Sequence, residues 1–283
     1  MTTSEQQHQE DVDAGIGHHV ASDDKGSGGK CLNRHAPRQK NNSCSHIWQA
    51  FLRMYEENDS EGNNRYNYPA YESLSQGVRK TRIAGLYGKY NDNPNAPKSM
   101  APPGIKDWDL PAAKSDFDKE GGNFSLCYLP YWHEAHHIVP NSTLRSAIEV
   151  AVKPASDQPA YKRVVRKSLL EEKYNLNHQH NMMMLPIEAP VGKGMGLPLH
   201  RKTPSHRSHS TYSKYVLSEL EKFFTEVKEK ADKHEQNPDV EKVKTKLESL
   251  SERLRNSIFK SSAKSLDDMG EGEFVTKKRK FNS

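Results

Sequence analysis

Histidine is the side chain with the most chemistry to offer in this sequence, and it is unevenly placed. Eight of the fourteen histidines fall between positions 133 and 209, roughly twice the share of an even distribution, which argues for a shared site. At the head of this run stands Tyr131-Trp132-His133-Glu134-Ala135-His136-His137-Ile138-Val139-Pro140. Adjacent histidines in an extended strand point to opposite faces, because strand side chains alternate. One imidazole can then bind a metal while its neighbour does separate work. That division suits metal-assisted hydrolysis of a phosphodiester. A cation neutralises the phosphate and the leaving oxygen, and a neutral imidazole, with an ordinary pKa near ~6.5, takes the proton of the attacking water.

More donors follow downstream. Asn177-His178-Gln179-His180-Asn181 runs into Met182-Met183-Met184-Leu185-Pro186, and Leu197-Pro198-Leu199-His200 comes next. His206 and His209-Ser210-Thr211-Tyr212, leading to Val216, complete the series. In this order (Ala-His-His, then Asn with Leu-Pro, then His with Tyr and Val at a helix start) the chain resembles the AHH family of the HNH/endonuclease VII superfamily. These are ββα-metal, or His-Me finger, nucleases, often found as bacterial toxin domains. The resemblance covers about residues 125 to 225.

The resemblance implies a role for each matching residue. His136 corresponds to a metal ligand and His137 to the general base. Asn181 corresponds to the residue that ties down the loop after the first strand and so orients the base. His209 corresponds to a second ligand at the head of a helix. In the family a Pro-x-His leads closely into the last His-x-x-Tyr, whereas here Arg201 to Ser208 separate His200 from His209. Both His200 and His206 therefore stand as candidates for the remaining ligand, His206 because three-residue spacing from His209 can share a helical face. Ser210 occupies the family's Pro position. His133, His178 and His180 match no motif position and are expected to be ordinary surface or hydrogen-bonded histidines.

Two or three neutral imidazoles with open positions suit a divalent ion, Mg²⁺, Zn²⁺ or Ni²⁺, completed by water and phosphate. Arg201, Lys202, Arg207 and Lys214 lie near the last histidines and are candidates for holding the phosphate backbone. The expected activity is a metal-dependent endonuclease acting on nucleic acid, with DNA ahead of RNA. The resemblance adds an antibacterial effector role, a cognate immunity protein and a secretion-system carrier. The alternative is a non-catalytic, zinc-stabilised nucleic-acid-binding or interaction protein, in which the histidines close a structural site.

Composition frames these readings. Lys and Arg number 42 against 37 Asp and Glu, a net charge of +5, so any phosphate-binding face must be local. The hydrophobic share of 33% is low for a chain of 283 residues that is compact throughout. The sequence contains no apolar run long enough to span a bilayer, and its first thirty residues lack a secretory signal pattern. A cytoplasmic location in the producer, or delivery into a target cell by a dedicated machine, is expected. Cys31, Cys44 and Cys127 show neither paired zinc spacing nor a disulfide framework.

The elements that must position the site follow from periodicity. Residues 1–45 read as a disordered tail, its His18-His19 pair solvated. Residues 46–122 form a helical and loop region, with one amphipathic helix through Ile47, Trp48, Phe51, Leu52 and Tyr55 and a second near Tyr71 to Val78. Residues 91–122 read as a long connection. Residues 123–225 hold the nuclease-like domain. It contains an extended arm through Phe124, Leu126 and Tyr128 and a helix capped by Asn141, Ser142 or Thr143. A second helix is opened by Asp157 and Pro159, and a second strand runs from Asn181 to Leu185. Met182, Met183 and Met184 read as core filler, and the glycines from Gly192 to Gly196 as a bend returning His200 to the doublet, with no phosphate-loop spacing. Residues 226–283 continue the stripes of Tyr215 to Val227 and Val240 to Ile258 as a helical hairpin, ending in the basic run Lys277-Lys278-Arg279-Lys280. The fold class is α+β, mostly helical, around a small ββα finger.

Overall fold

The computed structural model describes Gln6, residues 29–35, 42–56, Tyr66, 133–202, 209–233 and 243–274. His206, Arg207 and Cys127, the arm from Phe124, the second helix near Tyr71, the connection 91–122 and the basic run 277–280 lie outside the described residues. The described part is mostly helical with one small sheet, an α+β arrangement. Its elements are α1 (His46–Glu56), β1 (His133–His137), α2 (Asn141–Val152), α3 (Gln158–Glu171), β2 (Met182–Pro186), α4 (Ala189–Met195), α5 (Ser210–Phe223), α6 (Thr225–Asp232), α7 (Val243–Lys260) and the short α8 (Glu271–Phe274).

The strands pair antiparallel, with His136 opposite Met183 and His137 opposite Met182. His-Glu-Ala-His-His has little strand propensity of its own, so its extended form depends on this partner. All five residues of β2 are buried, and the three methionines sit in the core. Unbranched thioether side chains fill the irregular space between β1 and α1, which packs on both strands. Trp48, Phe51 and Met54 on one face of α1 are almost fully buried, as the helical spacing predicts. The N-terminal region is thereby built into the same core as the strands.

Between the strands, α2 and α3 form a helical excursion and pack on each other. No side chain caps α2. Pro140 holds the N-cap position and Asn141 is already helical, which corrects the expected cap. The fixed φ of proline suits the entry into a helix without a side-chain bond. Asp157 does cap α3, accepting from the Ala160 amide at 3.1 Å, with proline in the first turn. The glycine-rich stretch is also not a simple bend. It forms α4, closed by Gly196 in the left-handed conformation at φ 64°, where only glycine escapes the Cβ penalty. Gly192 is required for space, since a Cβ there would lie 2.9 Å from both Leu197 O and Leu199 Cδ2.

Helix α5 packs against α2, α6 packs on α2 as well, and α7 returns across the 3-10 turn Gln179–Asn181. Leu247, Leu250, Leu254 and Ile258 form the buried stripe of α7. This helix reaches the loop after β1 through one residue, Asn181. The Asn181 amide accepts from the Val139 amide at 2.7 Å and from Ser251 Oγ at 2.9 Å. Its Nδ2 donates to Val139 O at 3.1 Å and Leu176 O at 2.8 Å. Both lone pairs and both hydrogens are used, so the side chain acts as a four-way tie. Its backbone carbonyl adds a bond from the Ile138 amide at 2.9 Å. Asn181→Ala strips three buried backbone groups of a side-chain partner at once, while Ser251 Oγ keeps Leu247 O as an acceptor, and is expected to cost about 3 kcal/mol or more. The check is a lower urea midpoint at unchanged slope.

Residues 29–35 fall in the stretch expected to be disordered, yet they belong to the core. Cys31 and Leu32 are each 2% exposed. Cys31 exchanges backbone bonds with Tyr174 O and the Leu176 amide at 3.0 and 2.7 Å. The segment has too few aliphatic residues for composition to reveal this, and its order comes from pairing with a segment 140 positions downstream.

Candidate active site

Three histidines from three separate segments meet at the end of β1. His136 lies on β1, His200 follows α4, and His209 is the N-cap residue of α5. One nitrogen from each ring lies within 4.8 Å of the other two. The His136 and His209 ring centres are 4.8 Å apart, and His200 and His209 are 5.3 Å apart. His136 Nδ1 and His200 Nε2 face one another at 3.2 Å.

Each ring is placed by its element. Strand pairing fixes His136. A bond from the His200 amide to Pro186 O at 2.9 Å lays His200 beside β2. The α5 start fixes His209, whose Nδ1 lies 3.3 Å from Ser213 Oγ, one turn along. Tyr212, on the same turn, donates to Ile138 O at 2.5 Å and locks α5 to the loop after β1.

The carboxylate of Glu134 meets His200 Nδ1, and a carboxylate can only accept. His200 therefore carries a proton on Nδ1, which leaves Nε2, the nitrogen towards His136, as its metal-binding position. Glu134 is held in turn by the Arg201 fork, with bonds of 2.7 Å to Nε and 2.6 Å to the terminal nitrogen. Such a carboxylate–histidine pair fixes the tautomer and ring orientation of a metal ligand.

His137 leaves β1 in a different direction. Its ring lies 5.4 Å from that of His46 on α1, and its Nε2 is 2.9 Å from Asn177 Oδ1. Asn177 Nδ2 donates to Asn33 O at 2.8 Å, a partner that can only accept. The amide orientation is thereby settled. His137 must carry its proton on Nε2, which leaves Nδ1 with the lone pair.

The four histidines, with Arg34 and Arg201, line one cavity of ≈ 310 Å³, which the uncapped start of α2 also borders at Asn141 and Ser142. The alternation expected of adjacent histidines holds for their partners. Both rings still reach the cavity, because β1 ends at His137 and the cavity wraps around that end.

Burial favours the neutral form of His136, His137 and His209. His136 is held well below the ordinary value by desolvation first, then by His209 and His200. Burial, with Arg34 next, lowers His137 to about 4, and burial with His200 lowers His209 to about 4. His46 falls to about 2, from burial first and then His137. In metal-free protein the consequence for stability has a definite sign. Below ~6.5 the unfolded chain takes up protons that the native rings refuse, so unfolding is favoured as pH falls. The melting temperature of chelator-treated protein is expected to be highest above ~6.5 and to drop on going to about pH 5. The contributions of His137 and His209 level off once pH passes about 4.

The donor set fits a divalent ion. Three imidazoles from separate segments converge, with one ring nitrogen of each within 4.8 Å of the others, and the cavity leaves room for water or phosphate oxygens beside them. Of the other residues considered from the sequence, Arg201 is committed to Glu134. Lys202 pairs with Asp268 at 2.8 Å on an exposed surface. Lys214 is exposed on α5 and is not among the cavity-lining residues. His178 accepts from the His180 amide at 3.2 Å and stacks on that ring at 4.7 Å, while His133 is buried at 2% exposure. Sequence reasoning missed Asn177, Arg34, His46 and Glu134. Only Glu134 carried a local signal, one carboxylate inside a histidine-rich strand. The others reach the site from distant segments.

Residues 125–247 match the AHH family model. It describes a nuclease family of the HNH/ENDO VII superfamily with a conserved AHH, and here that triplet is Ala135-His136-His137 on β1. The match runs beyond the expected limit near 225 into α7, the helix whose Ser251 follows closely and bonds Asn181. Comparison of the chain with curated proteins and with solved structures gave no match. The AHH region therefore contains β1, β2, α5 and all three converging histidines, while Arg34 and His46 stand outside it. Among the described residues no helix is long and apolar enough to cross a membrane.

Proposed function

We propose that the protein is a metal-dependent endonuclease that hydrolyses phosphodiester bonds, in DNA ahead of RNA, and serves as an antibacterial effector. The observation that carries the catalytic part is the pairing of two environments at adjacent residues. His136 faces two further imidazoles, whereas His137 is held in a single tautomer with an unprotonated Nδ1 beside the same cavity. The effector role rests on the family resemblance and extends to a cognate immunity protein and a secretion carrier.

His136, His200 and His209 would hold a divalent ion, with Mg²⁺, Zn²⁺ and Ni²⁺ as candidates. That ion supplies positive charge for the scissile phosphate and the leaving oxygen. His137 takes a proton from the attacking water at Nδ1, and the bond from its Nε2–H to Asn177 steadies the ring as charge develops. Burial lowers the basicity of His137, so it is unprotonated and ready across the neutral range. Asn181 acts at one remove, holding the loop that sets the end of β1. Arg34 and the α2 N-terminus offer donors to a phosphate backbone entering the cavity. Arg201 contributes through Glu134, and Arg207 and Lys214 remain candidates for phosphate contacts further out. His206 competes with His200 for the third ligand position, and the Glu134 bond favours His200.

The test is incubation of purified protein with supercoiled plasmid and with single-stranded RNA, with and without added divalent ion. Nicking and linearisation of plasmid that stop on chelation are expected. Metal-replete protein that leaves both nucleic acids intact would sink the proposal.

A further inference from the structure

A second group of soft ligands lies away from the three-histidine centre. Cys31, His35 and Cys44 are all buried, and one ligand atom from each lies within 4.8 Å of the others. Cys31 Sγ is 3.1 Å from His35 Nε2. Zinc bonds of ~2.3 Å to sulfur and ~2.0 Å to nitrogen imply edges of about 3.5–3.8 Å in a tetrahedron, so a small adjustment accommodates the ion. The Asn33 amide already points at Cys31 Sγ, at 3.4 Å, the direction from which backbone N–H groups support a thiolate.

The supporting loops are positioned for the same purpose. Cys31 is fixed by its two backbone bonds to the 174–176 segment. His35 bridges to Ser45. Cys44 sits in a turn tied by Asn42 Oδ1 at 2.8 Å, and Asn175 Nδ2 reaches the neighbouring Ser43 carbonyl at 2.9 Å. Leu32 is the one aliphatic side chain in 29–35, and 42–45 has none. Apolar burial supplies little to order these loops, and two buried thiols beside an imidazole are better matched to a borderline-soft cation than to a packed apolar cluster.

We propose that Cys31, His35 and Cys44 bind a structural Zn²⁺ ion, distinct from the three-histidine centre. The remaining tetrahedral position is for water. The ion staples 29–35 and 42–45 to each other and to the 174–177 segment. That places two residues: Asn33, whose carbonyl orients Asn177, and Arg34, which lines the cavity. The inference stands whether or not the chain cuts nucleic acid.

Full-length protein expressed with added zinc is analysed by elemental mass spectrometry. The variant His136→Ala/His209→Ala is expected to retain one zinc per chain that Cys31→Ser/Cys44→Ser loses. If the cysteine variant fails to fold, Co²⁺ loading of the histidine variant decides the matter. Thiolate-to-cobalt charge-transfer absorption in the near ultraviolet is expected, together with protection of both cysteines from alkylation. Absence of zinc and of that absorption in the histidine variant would overturn the proposal, as would a Cys31–Cys44 disulfide in protein prepared under reducing conditions.

Discussion

His137→Ala is expected to slow plasmid cleavage by about 10²–10⁴-fold, the usual contribution of a positioned general base, while the protein keeps the metal of the three-histidine centre. The two readouts must separate because His137 is bonded to Asn177 and lies against His46, whereas the converging rings are those of His136, His200 and His209. Cleavage rate and metal content are measured on the same preparation. Loss of metal along with activity would mean that His137 is part of the ion's own coordination, and the division of roles between adjacent histidines would fail. Retained activity would point to another base. The small side chain also leaves space beside the cavity, so partial rescue by added imidazole is a further expected result.

His136→Ala is expected to have the opposite signature: loss of the ion from this centre and of nearly all cleavage together. His136 is the one ring of the three that a strand carries, and it contacts both His200 and His209. Its removal leaves two protein donors, His200 and His209, where three converged. Isothermal titration with a divalent ion is the direct check, read against the cysteine-linked zinc proposed above so that the two equivalents are counted apart. Unchanged affinity for the ion would remove the basis for the metal centre. A fold that stays intact, judged by far-ultraviolet circular dichroism, is expected because Asn181 and Tyr212 hold the loop after β1 independently of the ring.

These outcomes rest on elements that the sequence made visible to different degrees. The helices were legible because their apolar spacing is strong, as in the stripes of α1, α5 and α7. β1 was legible as part of a strand-prone run ending at Val139, although its own five residues have little strand propensity. His-Glu-Ala-His-His is extended because Met182 to Pro186 lies opposite it. The misplaced cap of α2 and the unexpected α4 are failures of local rules, overridden by Pro140 at the helix entry and by a glycine that must let Leu197 and Leu199 approach.

By itself, the sequence determined the chemistry available to this protein: a histidine doublet in a strand, an asparagine before a second strand, and a histidine opening a helix. Those depend on residue type and short spacing, which a linear reading preserves. Tertiary structure decided which imidazoles share one cavity, which nitrogen of His137 carries the proton, and that Arg201 serves Glu134. It also brought Cys31, His35 and Cys44 together across a sequence with no metal-site spacing. The tautomers of His137 and His200 depend on partners 40 and 66 residues away, and only the packed chain brings such atoms within bonding distance.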